Sequence, residues 1–175
     1  MRTLSMVSGG VVVAATAALV LGVRIMGKNG APGFLGPGTL AADINLMLEI
    51  VLVLGLTAGA FMARAGNIEA HRRNQTTWVL MNAVLVALIM VSSMQDVEIK
   101  SIADLAGALY WVTWLHALVG TLTVMAGLWL VLQMNDILPR RWHIGWWRSL
   151  MRLTLAGYWA VVLLGGATYY VWYIA

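Results

Sequence analysis

Long apolar runs, broken only by short polar clusters, constrain this chain more than any other feature. Apolar stretches cover about residues 6–23, 44–63, 76–94, 109–132 and 150–172. Each is close to the ~20 residues that an α-helix needs to cross ~30 Å of hydrocarbon. Backbone amides in lipid must be satisfied within the segment, so runs of this length predict helices rather than open strands. The expected fold class is therefore all-α: an integral membrane bundle of about five transmembrane helices, built as a single domain over residues 1–175.

Composition supports lipid as the solvent. Only 10% of the residues are charged and 61% are hydrophobic, whereas a water-soluble domain carries about 25% charged residues. The formal net charge of +4 is read as topological bias in the loops, with no nucleic-acid partner. Cysteine is absent, which excludes disulfides and thiolate metal sites. The first run, behind Arg2, has the polarity of a signal peptide, but its length predicts a retained helix.

Five crossings sort the basic residues onto two sides. Arg2, Arg64, Arg72, Arg73, Arg140, Arg141, Arg148 and Arg152 fall on one side; Arg24, Lys28 and Lys100 fall on the other. Short basic loops stay in the cytoplasm, so the N-terminus is expected inside and the C-terminus outside. Tyr110, Trp111, Trp114, Tyr169, Tyr170, Trp172 and Tyr173 mark the expected outer plane, and Trp78, Trp129, Trp142, Trp146 and Trp147 the inner one. The connection 24–43, rich in glycine and proline, reads as an irregular outer linker.

Few residues inside the runs can carry chemistry. Glu49 and His116 lie roughly 7 and 10 Å below the expected outer ends of their helices, at 1.5 Å per residue. Ionisable groups in lipid are costly and usually find partners, which predicts a Glu49–His116 hydrogen bond. Its plain reading is one polar contact that sets helix register. Its functional readings are proton transfer, or a copper site completed by Met94, because thioether and imidazole suit Cu(I). Met90 and Thr168 are expected at similar depth. His71 and His143 lie together on the arginine-rich side, where a bis-histidine haem is one reading and an interfacial anchor the plainer one. His116 is too far along its helix to join them. A polar stripe of Asn74 or Gln75, Trp78, Asn82, then Ser92 and Ser93 is expected to face inward, toward neighbouring helices. Gly55, Gly59, Gly165 and Gly166 are expected to permit close packing. No motif for nucleophilic catalysis or for phosphate or dinucleotide binding is present.

The order Asp43-Ile44-Asn45, then Ala70-His71-Arg72-Arg73, then Tyr110 with His116, then Tyr158-Trp159, Gly165-Gly166 and Tyr169-Tyr170 resembles a small bacterial membrane family of unknown function. That family includes maturation factors of haem-copper oxidases. The resemblance covers about residues 43–173, maps the family's histidines to His71 and His116, and places Arg148 where members carry a further histidine. It implies a multi-pass protein of the bacterial cytoplasmic membrane, partnered by the bilayer and by other membrane subunits. The expected function is a non-catalytic subunit or assembly factor of a respiratory or photosynthetic electron-transfer complex. The alternatives are a protein that binds haem b or copper, and a proton or small-molecule transporter using Glu49 and His116.

Overall fold

The computed structural model describes residues 10–22, 32–90 and 107–175, and the described part is helical without strands. Five helices follow in order: α1 (Gly10–Gly22), α2 (Leu40–Arg64), α3 (Ile68–Leu85), α4 (Ala108–Met134) and α5 (Trp147–Tyr173). A π-helical turn, Val86–Met90, extends α3, and a 3₁₀ turn, Arg140–Trp142, precedes α5. Three of the helices, Leu40–Arg64, Tyr110–Met134 and Trp147–Tyr173, are long and apolar enough to cross a membrane, and Gly10–Gly22 is a shorter apolar helix.

α2, α4 and α5 extend beyond the spans expected for them, 44–63, 109–132 and 150–172. The largest difference is in α3, which begins at Ile68 rather than Thr76. Asn67 caps it, its side chain accepting from the Ala70 N–H at 3.2 Å. Glu69 stands in the first turn, where a carboxylate complements the helix dipole. The expected 64–75 loop shrinks to a tight turn. Gly66 occupies its left-handed position at φ +82°, which glycine adopts without steric cost. The Asn67 N–H returns to the Met62 carbonyl at 3.0 Å and closes the end of α2.

α4 and α5 pack most extensively, followed by α2 with α3, α2 with α5, and α3 with α4. The four long helices thus form a ring in which each touches its two chain neighbours, and α5 closes back on α2. The tight turn between α2 and α3 makes those two helices antiparallel neighbours. Leu52, Val53 and Leu56 of α2, Val79 and Leu85 of α3, Val131 of α4 and Tyr158 of α5 form the core, joined by Val20 of α1. Val20 is wholly buried, so α1 is seated on the bundle and not separate from it.

Small residues on α2 let α3 approach. The Trp78 ring lies against Gly55, and the Asn74 and Gln75 side-chain amides lie against Gly59. Three α3 side chains then donate to backbone carbonyls of α2: His71 Nδ1 to Gly59 at 2.7 Å, Asn74 to Gly55 at 2.8 Å, and Gln75 to Leu56 at 2.8 Å. The Trp78 indole N–H is taken up by Asn74 Oδ1 at 3.2 Å. Both Asn74 and Gln75 belong to the stripe, so residues that look like loop in the sequence are helix. The next member, Asn82, is buried and donates to the Tyr158 hydroxyl at 3.4 Å. Between α4 and α5, the Gln133 side chain donates to the Ile144 carbonyl and accepts the Ile144 N–H. That double bond anchors the connecting loop, and Trp142 stacks on Trp129 with centroids 6.0 Å apart.

Candidate functional site

Glu49 and His116 meet. Glu49 lies nine residues past Leu40 on α2 and His116 eight past Ala108 on α4, so both sit about 12–14 Å along their helices. Glu49 Oε1 is 3.9 Å from His116 Nε2, and the two residues are 7% and 8% exposed. The two groups come together as expected, but the expected hydrogen bond between them is not formed: 3.9 Å is beyond its reach, and Asn45 takes its place on Oε1. Asn45, one turn before Glu49 on α2, donates to Oε1 at 3.1 Å. The other carboxylate oxygen, Oε2, is buried and has no hydrogen-bond partner.

α5 supplies the third wall. His116 Nδ1 is 3.1 Å from the Val161 carbonyl. A carbonyl only accepts, so Nδ1 carries the proton of this bond and Nε2 is the nitrogen turned to Glu49. One turn further along α5, Gly165 leaves the space that Glu49 Oε2 and the His116 ring edge occupy; a Cβ there would collide with Oε2. Gly166 has no atom of another residue within 4 Å of where its Cβ would be. The adjacent glycines thus have different surroundings, and only Gly165 lines the site.

A second buried carboxylate stands nearer the end of α2. Asp43 is fully buried, accepts from the Tyr169 hydroxyl at 2.6 Å, and accepts from the Leu35 N–H at 2.6 Å. Pro32 and Thr39 pair as an isolated bridge, and Gly33 donates to the Gly38 carbonyl at 2.9 Å. Residues 32–39 therefore form a closed loop clasped to α5 through Asp43, not an irregular linker. Glycine is required at 33 and 38 because Asp43 and the Tyr169 hydroxyl press against those positions. In the sequence Asp43 is just another loop charge. The one clue to this clasp is the pair of closely spaced glycines before a helix-starting acid.

The other two histidines each have a backbone partner. His71 is tied to α2 through Gly59, and His143 Nε2 donates to the Leu138 carbonyl at 3.1 Å within the loop before α5. Met94 lies outside the described residues, as do Ser92 and Ser93. Among the described residues, no group of three or more His, Asp, Glu or Cys side chains is placed to hold a metal ion. Glu49 and His116 offer two donors at this site.

At the arginine-rich end an open depression of about 400 Å³ is lined by Met62, Asn67, Glu69, Ala70, Arg73 and Asn74. Glu69 there accepts from Arg72 at 2.6 Å and from Arg73 at 2.9 Å. These two hydrogen bonds hold its carboxyl below the usual range. This is a solvated ion-pair cluster, of the kind that adds little to stability. No family model, curated protein or solved structure matches this chain, so the geometry of the α2–α4–α5 site is the main guide to its chemistry.

Proposed function

We propose that this chain is a multi-pass protein of a bacterial cytoplasmic membrane, with its arginine-rich end inside, acting as a non-catalytic subunit or assembly factor of an electron-transfer complex. One observation carries the reading. Within the most apolar windows of α2, α4 and α5, only 28%, 39% and 22% of residues are buried inside the bundle. Large apolar side chains line the outside instead: Leu54 and Phe61 on α2, Trp111, Leu118 and Met125 on α4, Leu153 and Leu163 on α5. Connections between the long helices are short wherever they are described, so recognition falls to these outward helix faces. The electron-transfer context comes from the family resemblance carried by the residues around Asp43, His71, His116 and Tyr169.

Mild-detergent extraction followed by identification of co-purifying proteins tests the proposal. Recovery with the subunits of a terminal oxidase or a photosynthetic complex is the expected result. Recovery of the chain alone, with unchanged complex yield in its deletion strain, would overturn it. An optical spectrum and metal analysis of the same preparation address the rival reading, since a Soret band or stoichiometric copper would make the chain a cofactor carrier.

A further inference from the structure

Polar groups at the α2–α3 contact are matched donor to acceptor, as expected where water is excluded. The Glu49–His116 pair departs from that pattern in two ways, and its geometry is held in place by a third feature. The two side chains face each other at 3.9 Å without a hydrogen bond. Glu49 Oε2 has no partner, although Gly165 clears a place for it. The ring nitrogen turned to the carboxyl is held there by a bond from the opposite nitrogen to Val161. A contact serving only to fix register would gain by closing this gap and filling the orphaned acceptor, because an unsatisfied buried polar group costs about 1–3 kcal/mol.

The geometry points to a proton-exchange site: Glu49 and His116 together hold one transferable proton, which moves between Glu49 Oε1 and His116 Nε2. In one state Glu49 is a neutral acid and Nε2 a lone pair. In the other, the O–H bond has broken, the N–H bond has formed, and a carboxylate faces an imidazolium. The pair carries the same net charge in both, so the transfer moves no net charge into the apolar interior. A direct transfer requires the groups to close by about 1 Å, to hydrogen-bond distance. Glu49 and His116 are side chains on different helices, so rotation about side-chain torsions can supply that approach.

The groups facing the pair are few. Asn45 of α2 donates to Oε1 and has no ionisable proton. α5 contributes the Val161 carbonyl and Gly165. The titratable neighbours along the three helices are Asp43, six residues before Glu49 on α2, Tyr110, six residues before His116 on α4, and Tyr158 and Tyr169 on α5, three residues before Val161 and four beyond Gly165. The Tyr158 hydroxyl is engaged with Asn82. Asp43 and Tyr169 are engaged with each other. This inference does not depend on which complex the chain serves.

Carbodiimide labelling of the full chain in lipid nanodiscs tests it. Dicyclohexylcarbodiimide is apolar and modifies carboxyl groups only in their protonated form. Intact-mass and peptide analysis should place one adduct on Glu49, and none in Glu49→Gln. In His116→Gln, the pH profile of labelling should move by about one unit, the size of effect expected from removing a charged neighbour. A profile that superimposes on that of the unmutated protein, or no labelling of Glu49 at any pH at which the protein is folded, would overturn the proposal. Should His116→Gln fail to fold, infrared titration of the unmutated protein decides. The Glu49 carboxyl band, assigned by its loss in Glu49→Gln, and an imidazole band should then change together at one midpoint. Independent midpoints would overturn it.

Discussion

The α2–α3 contact and the α2–α4–α5 site both place polar side chains against the apolar face of α2, yet they are built on opposite principles. Along the first, His71, Asn74 and Gln75 reach three carbonyls at 2.7–2.8 Å, and the Trp78 indole is also satisfied. Each of those carbonyls sits in helical backbone and takes a second donor with its spare lone pair. At the second, an acid and a base stop at 3.9 Å and one carboxylate oxygen is left bare. Satisfied polar contacts between helices act as locks; unsatisfied ones keep chemical capacity. The contrast separates a structural use of buried polarity from a reactive one, on a single helix.

Substitutions can break or sharpen that contrast. The largest effect is expected at Gly55, where a side chain would meet the rigid Trp78 ring rather than a movable chain end. Gly55→Leu should therefore cost at least about 3 kcal/mol, the upper end of ordinary overpacking, and should collapse the α2–α3 contact. Thermal unfolding in detergent, followed by near-ultraviolet circular dichroism of the tryptophans, would show it. Retention of the native melting temperature would mean that α3 does not rest on α2 as described.

Removing one rung of the same contact should cost much less. Gln75→Leu loses its donation to the Leu56 carbonyl but leaves the helical bond of that carbonyl intact, so about 0.6–1 kcal/mol is expected. The same melting experiment measures it.

At the site, Gly165→Ala should change stability by no more than about 1 kcal/mol. The colliding atom is the free end of the Glu49 side chain, and alanine is the better helix former. Carbodiimide labelling of Glu49 should nevertheless change, because the carboxyl loses its place. Gly166→Ala, with open space around it, should leave labelling unaltered and serves as the control. A larger melting loss at Gly165 than at Gly55 would reverse the assignment of lock and site.

The smallest effect is expected at the exposed start of α3. Glu69 is paired with Arg72 and Arg73, and its carboxyl is held below the usual range by those bonds. A depressed folded-state value means that the pairing contributes above the ordinary glutamate range and is lost as pH falls through the lowered one. Acidification should therefore soften α3 slightly, and Glu69→Gln should abolish that part of the pH dependence while barely moving the melting temperature. Because the pair is solvated, added salt should erase the difference.

Some of this was legible before any coordinates. Glu49 and His116 are conspicuous because an ionisable residue in a long apolar run has few places to go. Gly55 and Gly59 announce a close helix approach by their spacing. The start of α3 was hidden, because His-Arg-Arg-Asn-Gln has the composition of a loop. It becomes helix because α2 offers carbonyls for His71, Asn74 and Gln75, which are 12 to 19 positions away in the chain. The Asp43 clasp was hidden for a related reason. Its partners, Leu35 and Tyr169, lie in an apparently irregular loop and at the far end of another helix.

The sequence by itself determined that this chain folds as helices, because runs of apolar residues this long can satisfy their amides only by coiling. It also marked Glu49 and His116 for burial, since their neighbours along the chain leave them no water, but it did not mark Asp43. Only the tertiary structure decided which buried groups are satisfied and which are left with spare capacity. Hydrogen bonding depends on fractions of an ångström between helices distant in the chain, and on whether a glycine such as Gly165 leaves a carboxyl room. Periodicity places a residue on a face; packing alone decides what it meets there.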